Sequence, residues 1–168
     1  MPRLTELAAA AFLPGLIAGS VPARAQATSS ASATMQVSVE VVPNCTVAAE
    51  PLAFGSVTAA EAPSRQTTAS IEVACGPDVP FTVALDDGQN PGSGTRRALD
   101  PATGELIAYE IYADPARSQR WGGFGAQSVS GVTASTGTAR LTAYGQLGGE
   151  TRISAGSYGD VVTVTTNF

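Results

Sequence analysis

Residues 34–42 read TMQVSVEVV, and apolar and polar side chains alternate along the whole stretch. Four apolar side chains share one face: Met35, Val37, Val39 and Val41. This period of two predicts an amphipathic β-strand, because successive side chains of a strand point to opposite sides. Ala31 and Ala33 extend the apolar phase backward into the polar run ATSSASA at 27–33, which predicts a mobile arm leading into the strand.

Further along the chain, similar apolar patterns are separated by turn-forming residues. The other predicted strands are residues 67–75 (TTASIEVAC), 81–85 (FTVAL), 106–112 (LIAYEIY), 140–147 (RLTAYGQL) and 160–168 (DVVTVTTNF). With 18 Gly and 11 Pro in 168 residues, turn formers are abundant. Six or seven short strands at this spacing, with no helical pattern beyond the N-terminal segment, predict an all-β sandwich.

The N-terminal segment has the pattern of a secretory signal. Arg3 precedes the apolar run LAAAAFLPGLIA at 7–18, and small residues with A-x-A spacing follow it. We expect cleavage after residue 25 or 27. The run is shorter than the roughly 20 residues that cross a bilayer, so we expect a secreted protein without a membrane span. Three parts are predicted: a signal peptide at 1–25, an arm at 26–36 and a sandwich at 37–168.

Composition excludes several chemistries. The sequence has no His, and all nine basic residues are Arg. A histidine general base, a histidine metal ligand and a lysine Schiff base are therefore impossible, and no serine has a base to activate it. A net charge of −5 argues against a nucleic-acid partner. We expect no enzyme activity, no cofactor and no metal.

The two cysteines, Cys45 and Cys75, both follow the predicted signal. An even pair in an oxidising compartment predicts one disulfide. Two cysteines without histidine make a poor zinc site. Closing a loop of about 30 residues stabilises the fold by roughly 3–4 kcal/mol in the chain-entropy model.

Two local features have alternative interpretations. Trp121 and Phe124, in a Gly-rich loop, are candidates for stacking on a sugar ring or for anchoring the loop on the sandwich, and we favour the anchor. Arg96 and Arg97 are candidates for an anion site or a solvated pair, and we favour the solvated pair.

The two ends of the predicted domain suggest a mode of assembly. The arm has the alternation of a strand, and the last predicted strand runs to residue 168. If one strand of the sandwich is missing, a segment of another chain can fill the resulting groove by β-strand addition. An internal strand needs the same alternation, so composition leaves both possibilities open.

A series of motifs resembles one known family over residues 35–168. In order they are Val41 to Val47 with Cys45, Leu52-Ala53-Phe54-Gly55, Cys75, Phe81 to Leu85, Arg97 to Leu99, Tyr109 to Asp114, Trp121-Gly122, Tyr144-Gly145, and Gly156 to Thr165. Their order and spacing resemble the spore coat protein U domain family, which is similar to major subunits of archaic chaperone–usher pili. One departure is the usual Trp-Gly-Asp-Gly, which reads Trp121-Gly122-Gly123-Phe124-Gly125 here, so a loop carboxylate is lost.

The resemblance implies an incomplete immunoglobulin-like sandwich that is completed by a donor strand. A periplasmic chaperone would lend a strand, an outer-membrane usher would assemble the subunits head to tail, and the fibre or coat would lie on the cell surface. The implied donor residues are Ala33, Met35, Val37 and Val39, and the implied acceptor residues are Val162, Val164 and Phe168. The alternative function is a stand-alone secreted carbohydrate-binding module that uses the Trp121 loop.

Overall fold

The computed structural model describes residues 29–149 and 153–168. The predicted signal peptide, with its cleavage after residue 25 or 27, lies outside these residues. The chain divides into two units, residues 1–39 and residues 40–168. Residues 29–45 form no strand, so the strand predicted over 34–42 is not formed in this chain. Alternation makes a strand only where a partner supplies backbone hydrogen bonds.

The second unit contains eight β-strands and one turn of 3-10 helix among the described residues. The strands are β1 Thr46–Ala49, β2 Gln66–Ala74, β3 Pro80–Leu85, β4 Arg96–Leu99, β5 Leu106–Tyr112, β6 Val129–Val132, β7 Thr138–Leu147 and β8 Val164–Asn167. The 3-10 turn is Ala62–Ser64, directly before β2. The strands predicted near β2, β3, β5 and β7 agree with these bounds to within two residues.

These strands form two sheets in which every pair is antiparallel. The larger sheet has the order β1-β2-β7-β5-β4 and the smaller sheet has the order β6-β3-β8. Alternate side chains of β2, β3, β5 and β7 are buried between the sheets, as their period of two requires. The predicted all-β sandwich is therefore confirmed.

Three strands of four residues, β1, β4 and β6, were not among the predicted strands. A strand of four residues has only two inward positions, so its alternation is too short to recognise. The last strand is also shorter than predicted, because β8 covers only Val164–Asn167 of the segment 160–168. Residues 160–163 lie outside the strand, and Gly159 instead makes an isolated bridge to Leu99 on β4.

The predicted disulfide is present. Cys45 precedes β1, Cys75 follows β2, and the two are bonded to each other. The neighbouring residues Thr46 and Ala74 are partners in the β1–β2 ladder, so the bridge closes the end of this strand pair.

A buried arginine ties the two sheets together. The side chain of Arg96 is 0% exposed, so the expectation of a solvated pair is wrong for this residue. Its Nε donates to the Asp86 carbonyl at 2.8 Å, and its Nη2 donates to the Trp121 carbonyl at 2.9 Å. Arg96 starts β4 of the larger sheet, and Asp86 directly follows β3 of the smaller sheet. The guanidinium therefore satisfies backbone carbonyls where the two sheets meet.

Acidic partners extend this contact into a network. Arg96 Nη1 donates to the carboxylate of Glu110. The other oxygen of that carboxylate accepts from Arg120 at 2.8 Å, and Arg120 also pairs with Asp87 at 2.6 Å. The buried positive charge therefore has a charged partner and carbonyl acceptors, as a buried ion requires.

We predict that Arg96→Ala destabilises the domain by about 3–5 kcal/mol, because it leaves Glu110 and two carbonyls without their buried donor. The matched control is Arg140→Ala. Arg140 pairs with Glu72 but is 73% exposed, so its loss costs less than about 1 kcal/mol. Urea unfolding of both variants checks this, and equal midpoints would contradict it.

Candidate functional site

An open apolar groove runs along one side of the second unit. Its volume is about 1140 Å³, and residues 49–59 and 153–164 form its two walls. The larger sheet supplies most of the floor and β3 supplies one residue. The floor residues are Ala69, Ile71, Ile107, Tyr109, Ile111, Ala143, Leu147 and Leu85. The site is therefore the hydrophobic core itself, reached from outside.

The first wall follows β1 and is held against β2 by polar contacts. Arg65 Nε donates to the Phe54 carbonyl at 2.7 Å, and the Thr67 hydroxyl donates to the Ala53 carbonyl at 2.9 Å. Phe54 meets the edge of the Tyr109 ring on the floor, with ring centroids 6.3 Å apart. A Cβ atom on Gly145 of β7 would lie 2.8 Å from the side chain of Leu52. Only glycine at position 145 therefore leaves room for the first wall.

The second wall is the segment that leads into β8. Leu99 and Gly159 exchange two backbone hydrogen bonds, of 2.9 and 3.0 Å, which fix the segment to the edge of β4. Further along, Thr163 N donates to Asp86 Oδ1 at 2.9 Å. Burial raises the pKa of Asp86, but hydrogen bonds from Thr163 and Gly88 outweigh this and leave the pKa below its ordinary value.

One carboxylate holds the outer part of this wall. Glu105, directly before β5, accepts hydrogen bonds from Ser154 N at 3.0 Å, Ser154 Oγ at 3.0 Å and Tyr158 Oη at 2.9 Å. The bonds from Tyr158 and Ser154 lower the pKa of Glu105 below its ordinary value, because they stabilise the charged form. Glu105 therefore works as an ionised acceptor that fixes residues 154–158.

A polar pair links the floor of the groove to the second wall. The Tyr109 hydroxyl donates to Asp160 Oδ2 at 2.7 Å. Burial raises the pKa of Tyr109, and the bonded carboxylate of Asp160 raises it further. The hydroxyl stays protonated at neutral pH, so this donor joins the floor to the second wall.

The groove also borders an unpaired strand edge. Within the described residues β8 pairs with β3 on one side only, with Val164 opposite Leu85. β1 is likewise an edge strand of its sheet and lies next to β8. An unpaired edge presents backbone N–H and C=O groups that another extended chain can pair with. Within the described residues, the edge and the groove thus place free backbone groups beside an open apolar surface.

The predicted acceptor residues fall in two places. Val162 and Val164 line the groove, and both lie on the wall that enters β8. Phe168 is not among the lining residues and is 56% exposed, because the ladder of β8 ends at Asn167. The sequence analysis did not place the first wall in the site, although Leu52 and Phe54 belong to one of the motifs that carry the family resemblance.

The predicted donor residues are exposed. Met35, Val37 and Val39 are 88%, 85% and 86% exposed, and Ala33 is exposed as well. Three large apolar side chains on one face of an unpaired segment are available to a partner.

The two aromatic residues of the Gly-rich loop differ in exposure. Trp121 is 0% exposed, and its Nε1 donates to the Val83 carbonyl at 3.0 Å. Its ring belongs to the core and presents no free face to a sugar. Phe124 is 49% exposed at the tip of the loop.

Residues 29–149 and 153–168 contain neither a metal-binding cluster nor a helix that could span a membrane. No group of three or more His, Cys, Asp or Glu side chains there is placed to hold a metal ion. Within the same residues, no helix has the length and apolar character needed to cross a membrane.

Comparison with protein families finds one match. The model of the Spore Coat Protein U domain matches residues 31–165. No curated protein matches the chain.

Comparison with solved structures finds a similar fold in a chaperone–tip adhesion subunit pre-assembly complex from archaic chaperone–usher Csu pili of Acinetobacter baumannii. The TM-score is 0.61 at 22% identity, and the match covers 76% of this chain and 40% of that chain. A chaperone–tip adhesin complex of CFA/I fimbriae also matches, with a TM-score of 0.39 at 13% identity over 60% of this chain and 34% of that one. The chain thus spans less than half the length of either structure, and the second likeness is too weak to carry an argument.

We predict that Glu105 makes stability depend on pH. Its folded-state pKa is lowered, so its contribution is present above the ordinary glutamate value of about 4.3 and is lost as pH falls through the folded value. Glu105→Gln should therefore melt below the wild type at pH 7, and the difference should shrink toward pH 3. Melting curves at several pH values check this, with Glu40→Gln in the exposed segment before β1 as control. A constant difference at all pH values would refute it.

Proposed function

The chain belongs to the spore coat protein U domain family, and on that premise we propose that it is a secreted structural subunit that polymerises by donor-strand complementation. The N-terminal arm of one copy fills the groove of the next. One observation carries the proposal: a single chain contains both an exposed apolar alternation at 35–41 and an open groove beside an unpaired strand edge.

The chemistry of the two parts is complementary. Met35, Val37 and Val39 present three large apolar side chains on one face, and the groove floor is apolar apart from Tyr109. Burying them at about 1.5–3 kcal/mol each contributes roughly 5–9 kcal/mol. That range is comparable to the stability of a whole domain.

Backbone hydrogen bonds fix the direction and the register of the docked donor strand. A donor segment beside β8 pairs its N–H and C=O groups with the free edge and extends the three-stranded sheet to four strands. The contact joins the arm of one copy to the groove of another, two different surfaces. Such a heterologous contact does not close on itself, so it builds a filament.

The proposed division of the chain follows from this role. Residues 1–25 are a signal peptide removed on export, and residues 26–36 are the donor arm that precedes the domain at 37–168. Because residues 37–45 form no strand, the donor segment continues from the arm into the first residues of the domain, as far as Val39. Ala33, Met35, Val37 and Val39 enter the groove, and Val162 and Val164 form part of its wall. The exposed Phe168 flanks the far end of β8.

A subunit with an open core needs protection before assembly. We propose that a periplasmic chaperone lends a strand to the groove and that an outer-membrane usher exchanges it for the arm of the next subunit. The presence of a chaperone–subunit complex among structures of similar fold supports the chaperone. The family supports export and a final location in a fibre or coat on the cell surface.

The first test removes the arm and supplies it in trans. We expect the mature chain from residue 26 to form oligomers that depend on concentration, and a chain lacking residues 26–41 to remain monomeric with a low melting temperature. A synthetic peptide of residues 28–41 should raise that temperature by about 20 °C, since it binds only the folded state. A stable monomer in both cases, with no response to peptide, would refute the proposal.

The second test uses the alternation of the arm. Val37→Asp places a charge on the face that enters the groove, so we expect it to abolish oligomers because an unpaired charge would be buried. Ser38→Asp changes the adjacent residue on the opposite, solvent-facing side and should leave oligomers intact. Size-exclusion chromatography with light scattering distinguishes them. Equal effects of the two substitutions would contradict strand-like docking.

A further inference from the structure

The position of the disulfide relative to the groove has a mechanical consequence, which rests on the proposed function. In a head-to-tail fibre, tension reaches each subunit through its own arm and therefore enters the sandwich at Cys45. We infer that the Cys45–Cys75 bridge carries this tension past the first groove wall and into the sheet that forms the groove floor.

Without the bridge, one covalent route leads inward from Cys45. It passes through β1, Thr46–Ala49, and continues directly into residues 50–59, the first wall of the groove. β1 is an edge strand held on one side only, by β2. Its ladder extends by a single bond, from Glu50 N to the Ser70 carbonyl at 2.9 Å.

Few contacts hold the first wall in place. Arg65 and Thr67 hold the carbonyls of Phe54 and Ala53, and Leu52 and Phe54 are only half-buried. Each neutral hydrogen bond contributes only modestly to stability, because its groups bond to water when it is broken. Tension that displaces β1 is passed to these contacts one after another. Loss of the wall would uncover one side of the docked strand.

The disulfide provides a second covalent path for the tension, and this path leads into β2. Cys75 directly follows β2, whose nine residues pair with β7 along their full length and with β1 at one end. Cys75 N also donates to the Gly137 carbonyl at 2.8 Å, so the point of entry is fixed on the β7 side. Ala69 of β2 and Ala143 of β7 are register partners, and both line the groove floor. Tension then runs from the arm through the bridge to the floor, and the wall is left unloaded.

This role differs from simple stabilisation. A bridge that only restricts the unfolded chain protects the subunit equally in any direction of pull. A bridge that carries load matters only when force enters at Cys45. Changing the point at which the force is applied to the subunit therefore distinguishes the two roles.

The test uses two-subunit assemblies of the mature chain in a single-molecule force instrument. The donor subunit is held at Val42 of its own arm, ahead of its Cys45, so that its bridge is never loaded. The acceptor subunit is pulled either by its N-terminal arm or by its own C-terminus. Lifetimes of the assembly at constant force are measured before and after the disulfide is reduced in the assembled state. A Cys45→Ala, Cys75→Ala double variant repeats the measurement without reductant.

We expect reduction to shorten the lifetime about tenfold when the arm is pulled, because opening even one or two backbone bonds is worth that factor. We expect a change of less than about twofold when the C-terminus is pulled, with unforced dissociation equally unaffected. Equal shortening in both geometries, or no shortening in either, would overturn the inference that the bridge carries the tension. Failure of the two-subunit assembly to form at all would instead refute the proposed function, and it is detected before any force is applied.

Discussion

The apolar inner faces of two packed sheets must be shielded from water. Along one side of this domain the shielding is incomplete. The floor of the groove is made of core residues such as Ile71, Ile107 and Ile111, and it opens between two irregular wall segments. The unpaired edge of β8 borders the same opening. An exposed apolar surface beside free backbone groups is unfavourable in water, so a docked strand stabilises both at once.

Because packing alone does not close this side, polar contacts hold the groove in shape. Glu105 fixes the outer part of the second wall, Asp86 fixes its entry into β8, and Arg65 and Thr67 hold the first wall. Next to Asp86, Arg96 joins the two sheets from inside. These contacts are directional, so they set the position of each wall more narrowly than apolar packing does. A groove held in this way would need little rearrangement to accept the donor strand that we propose.

Several elements were predictable because they depend only on local pattern. β2, β3, β5 and β7 have at least six residues each, long enough for alternation to stand out. The pairing of Cys45 with Cys75 followed from their number and the predicted compartment. β1, β4 and β6 were missed because four residues are too few, and the burial of Arg96 was missed because its acceptors belong to other parts of the chain. The buried position of Trp121 matches the favoured anchor interpretation, and its hydrogen bond to β3 explains it.

The sequence by itself determined the strand phases, the all-β class, the absence of histidine and lysine chemistry, and the apolar face of residues 35–41. Each of these is a property of composition or of neighbouring residues. Only the tertiary structure decided where the groove lies, that residues 49–59 form one of its walls, and that Val164 faces it while Phe168 does not. The physical reason is that burial depends on contacts between residues far apart in sequence. Leu52 over Gly145 and Tyr109 beside Asp160 are such contacts, and no local pattern records them.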